Sequence, residues 1–104
     1  MGKRDRRELE SRLTVLVSHL LKWKYQSRKR SSSWRTTVRN QRTKLEVLFR
    51  DSPSLRARVT QCIEDAYPSA VGRASDETGL SEDMFPARCP FTADQLLNPG
   101  FLPD

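Results

Sequence analysis

Apolar residues in the first quarter of the chain fall on a single helical stripe. Leu9, Leu13, Leu16, Leu20 and Trp23 follow one another at spacings of 4, 3, 4 and 3, which aligns them on one face of an α-helix. Val17 and Leu21 widen that face, and Arg6, Arg12 and Lys22 lie largely off it. No Gly or Pro occurs between Lys3 and Glu46. The pattern predicts a long helix over about Asp5 to Tyr25. Gln26 to Ser33 is polar and basic and reads as a connecting turn, with Ser32 or Ser33 placed to cap the next helix. That second helix is predicted from about Trp34 to Phe49. Its stripe is Trp34, Val38, Gln41, Leu45 and Leu48, with Gln41 as a polar interruption.

Asp51-Ser52-Pro53 is the clearest punctuation in the chain. Ser52 suits an N-cap and Pro53 the first helical position, where its missing N–H is not needed. The third predicted helix carries Leu55, Val59, Cys62, Ile63, Ala66 and Tyr67. Pro68 ends or kinks it by removing one backbone bond. Ala70, Val71 and Ala74 keep the helical period, so a kinked helix or two abutting helices closing at Gly79 is expected. The tail from Leu80 is broken by Pro86, Pro90, Pro99 and Pro103, and Thr92 to Leu97 reads as one short capped helix. Met84, Phe85, Phe91, Leu96, Leu97, Phe101 and Leu102 are too many large apolar side chains for a disordered segment, so residues 80–104 are expected to pack on the helices. No strand-like alternation or repeat is visible. The expected architecture over 1–104 is a single all-α domain, a small bundle of two long helices, a kinked third helix and a Pro-rich apolar tail with one short helix.

Composition narrows the function classes. Of 104 residues, 36% are hydrophobic and 31% charged, with mean hydropathy -0.73, so the core is thin. No stretch approaches the roughly 20 apolar residues of a membrane span. Met1 to Arg7 is basic but leads into no uninterrupted apolar core, unlike a secretory signal. Cys62 and Cys89 lack metal-ligand spacing and are too few for a disulfide scaffold. A cytoplasmic protein is expected.

Charge is placed unevenly. Residues 1–50 hold fifteen Lys and Arg against four Asp and Glu, a net +11, whereas residues 51–104 hold four against nine, a net −5. Such asymmetry suggests either an anionic partner for the basic half or attraction between the halves. Arg35, Arg39 and Arg42 share one face of the second predicted helix, Arg28, Lys29 and Arg30 lie just upstream, and Tyr25 and Trp34 flank the group. Basic side chains beside aromatics suit phosphates and stacked bases. The same stripe borders the apolar one, so these side chains also fit a core edge with their heads in water. Catalytic chemistry is poorly supported. The single histidine, His19, has no carboxylate at a helical offset to orient it. One His with two distant Cys makes a weak metal case, and no phosphate-cradling glycine loop exists.

Several segments together resemble a known family. These are Glu8-Leu-Glu-Ser-Arg-Leu, His19-Leu-Leu-Lys-Trp, Ser33-Trp-Arg, Arg39-Asn-Gln-Arg and Asp51-Ser-Pro-Ser-Leu-Arg, then Glu77-Thr-Gly-Leu, Phe85-Pro, Cys89-Pro-Phe-Thr, Gln95-Leu-Leu and Phe101-Leu-Pro. They resemble, in one order over nearly the whole chain, the bacterial domain-of-unknown-function family twenty-nine. The resemblance implies an all-helical fold and assigns no activity, cofactor or site residue. Members of that family usually begin earlier, with a segment rich in aromatic and acidic residues, so by resemblance this chain lacks the family's N-terminal segment. Without it, the wide apolar face of the first helix is expected to stay in water and to favour a two-fold dimer or aggregation. The leading reading is therefore a non-catalytic helical protein-interaction module that self-associates or takes a protein partner. The alternative is nucleic-acid or polyanion binding through Arg28, Lys29, Arg30, Arg35, Arg39 and Arg42. No catalytic residue, cofactor or metal is expected.

Overall fold

A computed structural model describes residues 3–104. Four α-helices follow one another: α1 (Lys3–Tyr25), α2 (Ser32–Asp51), α3 (Val59–Thr78) and α4 (Ala93–Leu97). Short 3-10 turns occupy Ser27–Lys29, Pro53–Arg58 and Glu82–Met84. There is no strand among the described residues, as the period of the apolar stripes requires.

The helix ends follow local chemistry. The cap of α2 is Ser31, one residue before the expected serines, and its hydroxyl accepts from the Trp34 N–H at 3.2 Å. Pro53 opens the turn ahead of α3 as expected, but that turn is 3-10, and the α-helix begins only at Val59. Pro68 does not end α3, which runs through it to Thr78. Pro68 and Glu64, whose carbonyl loses its helical donor, are both exposed, so water can meet that carbonyl. Gly79 closes α3 at φ +76°, a left-handed conformation that glycine adopts without a Cβ penalty. A reciprocal capping box starts α4: the Thr92 hydroxyl accepts from the Gln95 N–H at 3.1 Å, and the Gln95 side chain accepts from the Thr92 N–H at 3.0 Å.

α1 is the central element. It packs against α2 and α3, which have little direct contact with each other. A continuous run from Leu16 to Trp23 is buried. Leu9, Leu13, Leu16, Leu20 and Leu21 are fully buried, together with Leu45, Leu55 and Leu96 from the rest of the chain. The apolar face of α1 is therefore covered within the chain. This removes the uncovered patch that motivated the expectation of dimerisation or aggregation.

The tail contributes Phe85, Phe91 and Leu96 to the core, with Leu80, Cys89, Ala93, Leu97, Phe101 and Leu102 packed against it. Edge-to-face pairs, Tyr25 with Phe85 and Phe91 with Phe101, extend this layer. Met84 departs from expectation: it is 56% exposed, on a 3-10 turn that points it away from the core.

Candidate functional site: a basic edge on α2

Two tryptophans organise the end of the bundle where α1 turns into α2. Trp23, near the end of α1, is buried. The Arg30 guanidinium lies 5.1 Å from its ring centroid and that of Arg35 lies 5.6 Å away. The Arg30 Nε–H also donates to the Trp23 carbonyl at 2.7 Å, capping the last turn of α1. The connector and the first turn of α2 are thereby held on one aromatic ring, at a strength of about 0.5–1 kcal/mol for each partly exposed cation–π contact. Arg35 keeps its head exposed, and so do Arg28, Lys29 and Arg39.

Arg42 is placed differently from its stripe partners. It is buried, and its Nε–H donates to the Leu96 carbonyl at 2.8 Å and its Nη2–H to the Gln95 carbonyl at 3.2 Å. Desolvation pulls its pKa below the usual guanidinium value. The helical spacing put Arg35, Arg39 and Arg42 on one face, and α4 covers only the far end of that face. Arg42 is thus a tie between α2 and the tail, whereas Arg35 and Arg39 remain in water.

The acidic half does not neutralise the exposed cations. Among the described residues three ion pairs form. Two are local, Arg12 with Glu8 and Arg73 with Glu77, and one joins the halves, Lys22 with Glu77. None involves Arg28, Lys29, Arg35 or Arg39. From Ser11 to Leu45 the sequence holds no carboxylate at all.

Sequence reasoning missed a polar cluster beside this edge. Lys22 is only 4% exposed; its ammonium pairs with Glu77 of α3, lies 3.4 Å from His19 Nε2 and sits 5.1 Å from the Trp34 ring centroid. His19 Nδ1 is 2.9 Å from the Val15 carbonyl. That carbonyl can only accept, so Nδ1 carries the proton and Nε2 accepts from Lys22. Burial first, with the Lys22 and Arg73 charges adding, pushes the His19 pKa below its ordinary value despite the carbonyl bond and Glu77. The hydrogen bond from Lys22, against a smaller opposing effect of burial, holds the Glu77 carboxyl below its ordinary value. Both ring nitrogens of His19 are engaged, so the cluster acts as a clasp joining α1, α2 and α3. The only signal for it in the sequence was a lysine among apolar neighbours, Leu20, Leu21 and Trp23; its partner lies 55 residues away.

The thiols offer little chemistry. Burial raises the pKa of both Cys62 and Cys89, and both are free. No group of three or more His, Cys, Asp or Glu converges in a metal-holding arrangement among the described residues. No helix there is long and apolar enough to cross a membrane.

The family model described as Domain of unknown function DUF29 matches residues 1–102. The chain belongs to that family. No curated protein and no solved structure matches it. The DUF29 assignment carries no activity and leaves the use of the basic edge to be argued from the edge itself.

Proposed function

We propose that this DUF29 chain is a non-catalytic helical module that binds polyanions, nucleic acid foremost, through the exposed cations Arg28, Lys29, Arg35 and Arg39, with Arg30 bound to α1 beside them. One observation carries the reading: these side chains stand in water without an ion pair, on a stretch with no carboxylate. Charge left unpaired in this way attracts phosphates and releases their counterions on binding. A protein-interaction role has less support. The apolar face that would have served it is covered, and the large hydrophobic residues exposed among those described are Val47 and Met84. We extend the proposal to the cytoplasm, which two unpaired thiols suit.

Retention on immobilised heparin and a gel shift with nucleic acid at low salt test the reading. The fourfold variant with Arg28, Lys29, Arg35 and Arg39 all changed to glutamine should elute at clearly lower salt while its circular dichroism stays unchanged and its melting temperature falls by only the few degrees that loss of the Arg35–Trp23 contact costs. Unaltered elution of that variant, or no retention of the wild-type chain, refutes it.

A further inference from the structure

The outward half of α2 is polar. Arg35, Thr36, Arg39, Asn40, Thr43 and Lys44 are all exposed there, with Arg35 and Lys44 on opposite flanks of the helix. α1 covers the opposite side of α2 and α3 barely reaches α2, so this half stands at the edge of the molecule. The Thr43 hydroxyl is turned back to the Arg39 carbonyl at 3.1 Å, and exposed Glu46 and Val47 continue the same half of the helix beyond the cations.

Aromatic placement discriminates between nucleic-acid forms. Binders of single strands combine cations with aromatic rings on which successive bases stack. Here the rings are already engaged. Trp23 is 7% exposed and carries Arg30 and Arg35, Trp34 has Lys22 against its ring, and Tyr25 meets the edge of Phe85. What remains is attraction to phosphate, which is strongest where phosphates are densest, on a duplex. A helix with side chains is about 10–12 Å across, which matches the major groove of B-form DNA at about 12 Å. The corresponding groove of duplex RNA is too narrow to admit it.

We infer that the ligand of this surface is duplex DNA, held through its phosphates by Arg28, Lys29, Arg35, Arg39 and Lys44, with the outward half of α2 lying along the major groove. The inference rests on the polyanion reading above and narrows it. Five phosphate contacts give a salt slope of about −4.5 for duplex DNA, so affinity falls roughly 500-fold between 50 and 200 mM salt.

Fluorescence anisotropy across a salt series tests this, using a labelled DNA duplex, its single strand and the matching RNA duplex, with heparin as competitor. Duplex DNA should bind tightest. The double variant Arg35→Gln/Arg39→Gln should lower the salt effect to about 40-fold, as loss of two contacts requires, at temperatures well below a melting point lowered only by loss of the Arg35–Trp23 contact. Tighter binding of the single strand, accompanied by tryptophan quenching, overturns the inference and leaves the polyanion reading standing. So does equal or tighter binding of the RNA duplex, or an unchanged slope in the double variant. Displacement by heparin without any preference among nucleic acids has the same effect. Failure of every polyanion to bind at low salt overturns both.

Discussion

Replacing Arg42 with methionine separates structure from binding on one arginine stripe. The guanidinium donates to the carbonyls of Gln95 and Leu96 at the end of α4. Methionine fills much of the volume and donates nothing. The Gln95 carbonyl keeps a partner, because the Asn98 N–H donates to it at 3.3 Å. The Leu96 carbonyl, in a fully buried residue, loses its charged donor. An unsatisfied buried acceptor costs about 1–3 kcal/mol, and a bond to a charged donor contributes about 1.5–3 kcal/mol. Relief of the guanidinium's own desolvation offsets part of this, so a net loss of about 2–3 kcal/mol is expected. For a chain of this length that lowers the melting temperature by roughly 10–20 °C. Urea unfolding monitored by circular dichroism measures the loss, and native-state hydrogen exchange should show faster exchange over residues 93–97. The control is Arg39→Met, on the same stripe but exposed, which should stay within about 0.5 kcal/mol of wild type. DNA binding should show the reverse pattern, weakened by Arg39→Met and not by Arg42→Met at temperatures where both are folded. An Arg42→Met chain as stable as wild type, with unchanged exchange in α4, refutes the assignment of Arg42 as a tie.

Stability should also fall as pH drops below about 6.5. The pKa of His19 is lowered on folding, so the unfolded chain takes the proton first. The urea midpoint should therefore be lower at pH 5.5 than at pH 7.5, and a midpoint that holds or rises on acidification refutes the neutral His19 clasp. Glu77 shifts the same way at lower pH: its contribution is complete above its unfolded value of 4.5 and is lost as pH falls through the depressed folded value. Tyr67, whose hydroxyl donates to the Pro86 carbonyl at 2.6 Å, is pushed up to about 12 chiefly by burial. Ultraviolet titration should find one tyrosine ionising there, and Tyr67→Phe should abolish that step and cost about 0.5–1.5 kcal/mol. Gly79→Ala, at φ +76°, should destabilise by about 1 kcal/mol in urea unfolding.

Much of the fold was legible because its elements are long and locally determined. The stripes of α1 and α2 and the punctuation at Ser52-Pro53 and Gly79 mark their positions without reference to distant residues. At Pro68 the helical period was expected to carry on to Gly79, and α3 does run through the proline, where the orphaned carbonyl of Glu64 is on the exposed side. The misreadings lie elsewhere. Arg42 was read as a member of the basic set and Lys22 as lying largely off the apolar face of the first helix, yet both are buried against elements more than fifty residues away. Helical period assigns a side chain to a face; it does not tell which part of that face a returning tail will cover. The exposed positions Arg28, Lys29, Arg35 and Arg39 were readable because nothing returns to cover them.

The central place of α1 explains how a chain with opposite charges in its halves keeps its cations free. α2 and α3 lie against α1 and hardly touch. Outward charges on the two, such as Arg39 on α2 and Glu64, Asp65 and Asp76 on α3, are therefore held apart by the thickness of packed helices, each about 10–12 Å across. That separation exceeds the Debye length of about 8 Å at physiological salt, beyond which exposed charges largely ignore one another. The one place where the halves do meet in an ion pair, among the described residues, is the Lys22–Glu77 clasp, and there the cation is buried and withdrawn from the surface. The net +6 of the chain thus understates the field around Arg28 to Arg39, since the sequence holds no carboxylate from Ser11 to Leu45 and the first on α2 is Glu46. A duplex approaching the α3 side would meet repulsion and one approaching α2 attraction, so the same partition that prevents internal neutralisation also orients the encounter.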